Sequence, residues 1–185
     1  MVDNKITGSD WLELAAHSYR IRPDHQMKSR CSIEADVFFN NITAHEPTGR
    51  WSTIAPVRIL SFDIECQGRK GHFPEAQHDP VIQIANVLTL QGSDVPIVQN
   101  VFTLNSCLPI VGAQVITSET EADMLMKWQS FVVAIDPDII TGYNIANFDI
   151  PYLLNRAKAS RPSLPCCTIL PTNINPHILY SDSPP

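Results

Sequence analysis

The stretch VRILSFDIEC, residues 57–66, is the strongest indication of the fold class of this chain, because it has the pattern of a core strand that carries two acids. Side chains of a strand alternate between its two faces, so Asp63 and Glu65 share one face while Phe62 and Ile64 share the other. Two like charges buried side by side carry the costs of desolvation and repulsion, and a divalent metal ion between them offsets both. The stretch therefore predicts a buried strand with a metal-binding face.

A second interpretation of the same stretch stays open. The strand could lie at the edge of a sheet and turn the face with Asp63 and Glu65 toward water. The flanking residues are more apolar than those of an ordinary surface strand, which favours the buried position. The place of this strand in the sheet decides between the two interpretations.

Two more strands are predicted directly downstream. After the loop QGRKGHFPEAQHD, residues 67–79, the segment PVIQIANVLTL at 80–90 has strand character. The segment VPIVQNVFTL at 95–104 follows beyond the turn QGSD, residues 91–94. Three strands in this order with short connections predict an antiparallel meander.

The hydrophobic period then changes from two to about three and a half over residues 118–135, which predicts a helix. Ser118 and Glu121 have the spacing of a capping box at its start, and Pro137 marks its end. The apolar face of this helix carries Leu125, Trp128, Phe131, Val132 and Ile135. A further strand, DIITGYNI at 138–145, and a further helix, FDIPYLLNRAKA at 148–159, complete an α/β arrangement.

Asp149 is the second acidic position of interest, because it lies where this last strand gives way to the last helix. In α/β sheets such junctions commonly present ligand-binding groups. The alternative is that Asp149 only caps the helix by accepting bonds from free backbone N–H groups. Two Mg²⁺ ions in a nuclease need several oxygen ligands, and Asp63, Glu65 and Asp149 supply part of such a set.

The composition narrows the classes of protein. The chain has 185 residues, 44% hydrophobic and 17% charged, which suffices for one hydrophobic core. The net charge of −6 gives no global basic field for nucleic acid, although a metal-dependent nuclease concentrates acids at its site. The five cysteines form no C-x-x-C pair, which favours a reducing compartment. No segment has the pattern of a secretory signal or of a bilayer span of roughly 20 apolar residues.

Several segments resemble a known family. FDIEC at 62–66 and NIANFD at 144–149 resemble the first and second exonuclease motifs of the family B DNA polymerases. The longer segments 54–75, 79–87 and 136–157 resemble one replicative branch of that family. The resemblance covers roughly residues 5–159.

This resemblance implies a fold and an activity. Residues 56–159 are expected to form a partial 3′–5′ exonuclease domain of the RNase H-like α/β fold, a mixed sheet flanked by helices. Residues 1–55 are expected to be part of a β-rich N-terminal polymerase module, and residues 160–185 a divergent Pro-rich tail. The implied activity is proofreading, in which mispaired nucleotides are removed from the 3′ end of a growing DNA strand in the nucleus.

The resemblance also implies roles for five residues. Asp63 and Glu65 would hold two Mg²⁺ ions, for which Mn²⁺ is a substitute, and Glu65 would orient the attacking water. Asp149 would complete the shell of the second ion. Asn144 and Phe148 would lie near the single-stranded 3′ end of DNA and contact it by hydrogen bonding or stacking. For Phe148, packing in the core is an equally open alternative.

The sequence departs from the family pattern in one respect. The third exonuclease motif, Y-x-x-x-D, is not found, since Tyr180 precedes Asp182 by only two positions. The chain is therefore expected to be a fragment that releases no nucleotide by itself, and the alternative is a nonenzymatic remnant that binds nucleic acid or a polymerase partner. A primer–template, accessory polymerase subunits and a sliding clamp are partners expected for a longer parent protein. A membrane is not expected.

Overall fold

The elements fall into two compact units that meet in sequence between Ala55 and Pro56. The computed structural model describes residues 6, 8, 10–29, 31 and 33–160. The predicted Pro-rich tail lies outside the described residues except for Ser160, and its character remains a prediction. Within the described part of the chain, no helix is long and apolar enough to span a membrane.

The first unit consists of two short antiparallel strand pairs. Strand β1, Trp11–Leu14, pairs with β4, Ile42–His45, and β2, Tyr19–Ile21, pairs with β3, Ala35–Val37. Short 3₁₀ helices lie at Asp24–Gln26, Phe39–Asn41 and Gly49–Ser52. The unit is β-rich as expected, and its assignment to a polymerase module remains a prediction.

The second unit is built on one five-stranded sheet. Its strands are β5 (Arg58–Cys66), β6 (Val81–Leu90), β7 (Val98–Leu104), β8 (Gln114–Ser118) and β9 (Ile139–Thr141), in the spatial order β8-β7-β6-β5-β9. The pairs β5–β6 and β6–β7 are antiparallel, which confirms the predicted meander. The pairs β7–β8 and β5–β9 are parallel, so the sheet is mixed.

Two helices complete the second unit and confirm the predicted α/β arrangement. Helix α1 is Glu121–Ile135 and helix α2 is Asp149–Ser160. The core joins the sheet to both helices through buried apolar side chains, the largest of which are Trp128, Phe102, Leu60, Ile84, Met124, Ile145 and Leu153.

A buried amide pair fixes the register of the central strands. Asn86 donates through Nδ2 to Oδ1 of Asn100 at 3.0 Å, and its own Oδ1 accepts from Nε1 of Trp128 at 2.9 Å. A register shift of one residue would turn these amides to the opposite face and break both bonds. The pair therefore stabilises the alignment of β6 with β7, the two strands that β5 and β8 flank.

The structure corrects the predicted start of α1. The cap is Thr120, whose hydroxyl accepts from the Asp123 N–H at 3.2 Å, and Ser118 is instead the last residue of β8. Strand β8 was not predicted, because it pairs only with β7 and its residues immediately precede the helical pattern. The predicted capping box at Ser118 and Glu121 is wrong for this reason.

The predicted strand at 138–145 is also shorter in the structure. Pairing with β5 ends at Thr141, and the chain then turns through Asn144, which has a left-handed φ of 53°. A left-handed residue interrupts the extended conformation that a ladder needs. The short strand places the turn, and with it the start of α2, beside the second half of β5.

The two interpretations of β5 were each half right. The strand lies between β6 and β9, so it is no edge strand. However, Asp63 and Glu65 are exposed, so the prediction that both acids are buried is wrong. The core forms on the opposite face, where Leu60, Phe62 and Ile64 are buried. A strand interior to the sheet thus presents an accessible acidic face.

Candidate functional site

Asp149 connects α2 to strand β5. It is the first residue of α2, it is 1% exposed, and its Oδ1 accepts from the backbone N–H of Ile64 at 3.1 Å. Ile64 lies between Asp63 and Glu65 in β5, beyond the point where β9 stops pairing. The carboxylate therefore satisfies a strand N–H, which is more than the helix capping that the sequence left as an alternative.

Gly142 makes this approach of the chain to β5 possible. A Cβ atom at this position would lie 2.4 Å from the carbonyl oxygen of Phe62 and 2.4 Å from Cγ2 of Ile145. Contacts this short are far inside van der Waals distance, and one of the two partners is backbone. Only glycine fits here, and the segment between β9 and α2 can therefore pass directly against β5.

The carboxyl groups of Asp63 and Asp149 interact across this junction. The pKa of Asp149 is raised to about 6, chiefly by burial and in addition by the negative charge and hydrogen bond of Asp63, while the N–H groups of Ile64 and of Asp149 itself oppose the rise. Two carboxyl groups in contact favour sharing a proton or binding a cation over holding two bare charges. The structure thus brings together two of the three predicted metal ligands.

Glu65 lies on the same exposed face of β5 as Asp63, two residues further along the strand. The register with β6 shifts between Glu65 and Cys66, a bulge of the kind often found beside active sites. Burial raises the pKa of the Cys66 thiol to about 11, so this thiol stays protonated and is a poor metal ligand. Among the described residues, no group of three or more His, Cys, Asp or Glu side chains could hold a metal ion.

The donor chemistry at this junction fits a hard divalent cation. Carboxylate oxygens are the ligands that Mg²⁺ prefers, and Asp63 with the buried Asp149 offers oxygens from two side chains in contact. The interaction that raises the pKa of Asp149 would be reversed by a positive charge between the two groups. The pair fits one shared ion, and the place of Glu65 in the site remains a prediction.

Asn144 shapes the turn between β9 and α2. Its Oδ1 accepts from Nδ2 of Asn147 at 3.0 Å, and its carbonyl oxygen accepts from the N–H of Phe148 at 3.0 Å. The side chain is exposed. A local structural role is therefore visible for Asn144, and its contact with DNA remains a prediction.

Phe148 belongs to a row of three aromatic rings. Its ring centroid lies 5.5 Å from that of Phe73 and 5.4 Å from that of Tyr152. Phe148 is half-buried and Tyr152 is buried, whereas Phe73 is 74% exposed. One end of the row packs in the core and the other reaches water, so both predicted roles of Phe148 stay open.

Phe73 is a residue that the sequence analysis missed. It lies in the loop 67–79 close to Arg69, Lys70 and His72, and an aromatic ring among basic residues is typical of single-strand binding surfaces. That local pattern could have identified it. Tyr143, in the turn before α2, is also 87% exposed and was likewise not singled out.

We expect Asp149→Asn to stabilise the metal-free protein at neutral pH. Because the pKa of Asp149 is raised from 3.8 to about 6, the folded protein retains a proton that the unfolded chain loses first. The stability contributed by this proton is complete below about pH 4 and is lost as the pH rises through about 6. Asparagine keeps the acceptor for Ile64 without the charge, and the gain at about pH 7.5 should be on the order of 3 kcal/mol.

Urea unfolding of both proteins in the presence of a chelator, from about pH 4 to about pH 7.5, measures this difference. The two stabilities should converge at the acidic end. A variant that is no more stable than the parent at about pH 7.5 would show that water reaches this carboxyl group freely.

Comparison with known protein families identifies the family to which this chain belongs. A family model described as DNA polymerase family B, exonuclease domain, matches residues 1–178. The chain belongs to the family B DNA polymerases, and the matched part is their exonuclease domain.

Individual relatives are more specific. The DNA polymerase delta catalytic subunit of Drosophila melanogaster is 58% identical over 160 residues, which are 85% of this chain and 15% of that protein. The subunit of the same name from Candida albicans is 54% identical over 159 residues, covering 86% and 15%, and that from Bos taurus is 49% identical over 166 residues, covering 89% and 15%. The chain is thus of the delta type, which confirms the predicted replicative branch, and it spans about 15% of the length of these relatives.

Proposed function

We propose that residues 56–159 provide metal-binding and strand-binding parts of an RNase H-like 3′–5′ exonuclease, which proofreads DNA within a longer delta-type polymerase. The observation that carries this proposal is the position of Asp149 beside β5. Its carboxyl group accepts a hydrogen bond from the Ile64 N–H and interacts with the carboxyl group of Asp63. The family membership supports the class of reaction, hydrolysis of a phosphodiester bond at a 3′ end. The chain is a small part of its relatives, so the polymerase activity itself belongs to the longer protein.

The acids have separate tasks in this proposal. Asp63, Glu65 and Asp149 would together hold two Mg²⁺ ions, with Mn²⁺ as a substitute. Glu65, on the same face of β5 as Asp63, would also accept a hydrogen bond from the attacking water. When bound, two such ions lower the pKa of that water and stabilise the leaving oxygen. Asp149 must lose its proton to act as a ligand, and its pKa of about 6 means that it does so below neutral pH.

The aromatic row supplies the strand contact in this proposal. A base at the single-stranded 3′ end stacks on Phe73 and meets Phe148 behind it, while the exposed amide of Asn144 hydrogen-bonds the same nucleotide. Stacking on aromatic rings is tolerant of base identity, because every base has a π face. That tolerance suits an enzyme that removes any mispaired nucleotide.

The remaining partners follow from the longer protein. A primer–template, accessory polymerase subunits and a sliding clamp are proposed for the polymerase of which these residues form part, and its place of action is the nucleus. The delta-type relatives support this extension.

Metal binding by the chain is the direct test of the proposed site. At a free Mn²⁺ or Mg²⁺ concentration of about 100 times Kd, the folded state gains about 2.7 kcal/mol, which raises the melting temperature. We expect Asp63→Ala combined with Glu65→Ala to abolish this rise, because the two exposed acids of the three proposed ligands are removed. Thermal melts with metal and with a chelator measure it.

A matched control for the charge change is Asp94→Ala combined with Glu119→Ala. Both of these acids are exposed residues of the same unit and lie outside the proposed site. This control should keep the metal-dependent rise. An unchanged rise in the Asp63 and Glu65 variant would remove the metal site from β5.

A further inference from the structure

The loop 67–79 between β5 and β6 is closed by a buried carboxylate at its end. Asp79 is 1% exposed, its Oδ2 accepts from the Glu75 N–H at 2.8 Å, and its Oδ1 accepts from Nε of Arg69 at 3.1 Å. The Glu75 N–H and the Arg69 guanidinium hold the pKa of Asp79 below its ordinary value despite burial. A buried charged group at the end of a mostly exposed loop therefore links residues 69, 75 and 79.

The same loop is fastened to helix α2. The hydroxyl of Tyr152 donates to the carbonyl oxygen of Asp79 at 2.8 Å, and Nη1 of Arg156 donates to the carbonyl oxygen of Ala76 at 3.0 Å. Arg156 is itself fixed by a largely buried ion pair with Glu121 of α1. The end of the loop is thus attached to the helix that begins with Asp149.

Phe73 stands inside the segment that Asp79 closes. Its ring is 74% exposed and meets that of Phe148 edge-on at 5.5 Å. One exposed ring contact is worth about 0.5–1.5 kcal/mol, which is comparable to the cost of ordering a single residue. The contact with Phe148 cannot by itself hold Phe73 in place. The bonds of Asp79 to Arg69 and to the Glu75 N–H, on either side of Phe73, add to it, together with the turn bond from the His72 N–H to the carbonyl oxygen of Arg69 at 3.1 Å.

We infer that Asp79 is a positioning residue, whose carboxylate holds the loop 67–79 so that Phe73 stands ready for a base of a single DNA strand. This inference rests on the proposed function and extends it to a residue that touches neither metal nor DNA. Preorganisation lowers the entropy cost of binding. Loss of the Asp79 carboxylate therefore weakens strand binding through Phe73 and leaves the metal ligands as they are.

The test uses the whole chain and a fluorescein-labelled single-stranded oligo-dT in a chelator, with Kd measured by anisotropy. Asp79→Asn and Phe73→Ala should each weaken binding about 10-fold, the lower part of the range for one stacked base. The double variant should be no weaker than either single variant, because Asp79 acts only through Phe73. A merely structural role of Asp79 gives no such coupling.

Glu75→Gln is the matched control. It removes the exposed carboxylate partner of Arg69 but keeps the Glu75 backbone N–H, from which the Asp79 carboxylate accepts a hydrogen bond. Its Kd for oligo-dT should stay within about 2-fold of the parent value, since the side chain of Glu75 lies on the outer side of the guanidinium. Mn²⁺ binding by calorimetry should be unchanged in both Asp79→Asn and Glu75→Gln.

Three outcomes overturn the inference. Asp79→Asn could bind oligo-dT with the parental Kd, or the losses of affinity of the two single variants could multiply in the double variant. The third outcome is a parent chain that binds Mn²⁺ but does not bind oligo-dT. If Asp79→Asn fails to fold by circular dichroism, Arg69→Gln breaks the same pair from its exposed side, and its coupling to Phe73→Ala decides instead. A chain that shows the Asp79–Phe73 coupling but no metal response would contradict the proposed exonuclease alone.

Discussion

Asp63→Ala is expected to reduce nucleotide release from a labelled 3′ end by more than about 100-fold, beyond the 10- to 100-fold that losing an outer-shell partner costs. The protein for this measurement is the Drosophila melanogaster delta subunit in which residues 5–159 of this chain replace the matching segment. The reason is the contact of Asp63 with Asp149, since one carboxylate alone leaves the attacking water without its ion.

The 185-residue chain by itself is expected to release no nucleotide in Mg²⁺. Positions of two ions and the water must hold to about half an ångström, and the interacting pair Asp63 and Asp149 fits one shared ion. Asp94→Ala in the same hybrid protein is the control and should keep full activity. Degradation by the short chain that Asp63→Ala stops would refute the expectation, and an active Asp63→Ala hybrid would remove Asp63 from the mechanism.

Gly142→Ala is expected to lower the free energy of unfolding of the second unit by more than about 3 kcal/mol, the upper end of ordinary overpacking. The added methyl group would meet the Phe62 carbonyl and Ile145, each at 2.4 Å. The carbonyl belongs to an interior strand and cannot yield, so the turn before α2 must move away from β5. That movement should also weaken Mn²⁺ binding, because it carries Asp149 with it.

Gly68→Ala is the control for this substitution. Its Cβ would meet Cγ of Pro74 at 3.2 Å, a contact with a side chain of a loop, and the cost should stay below about 1 kcal/mol. Urea unfolding followed by far-ultraviolet circular dichroism reports the second unit, since both described α-helices belong to it. A Gly142→Ala protein as stable as the Gly68→Ala protein would show that the turn has room to adjust.

The sequence predicted those parts of the fold that depend on neighbouring residues. The strand character of β5 to β7, the helical period of α1 and the helix start at α2 are local signals, and the structure contains all five elements. Strand β8 was missed because its parallel partner β7 lies across a loop, and no local pattern separates its end from the start of α1. The exposure of Asp63 and Glu65 depends on which face of the sheet the helices cover, and this is a tertiary property.

The candidate site shows the same division. The alternation in β5 indicated Asp63, and the junction of strand and helix indicated Asp149; the fold brings the two together from positions far apart in sequence. Phe73 and Asp79 lie in a loop whose shape depends on hydrogen bonds of Asp79 with Tyr152 and Arg69. The hydrophobic periodicity of the sequence does not indicate such bonds. Glu65 was predicted with the same weight as Asp63. The sequence did not indicate the bulge that begins directly after Glu65, because a bulge depends on the pairing of β5 with β6.

The Ile64 N–H of β5 donates to the side chain of Asp149, so the protection of this amide proton from exchange depends on helix α2. Neighbouring amides of an interior strand are protected from deuterium by the ladder, whereas this one is protected only while α2 stays docked. Its exchange rate therefore reads the local opening of the helix start, separately from global unfolding. A single amide thus reports how often the junction is open to solvent.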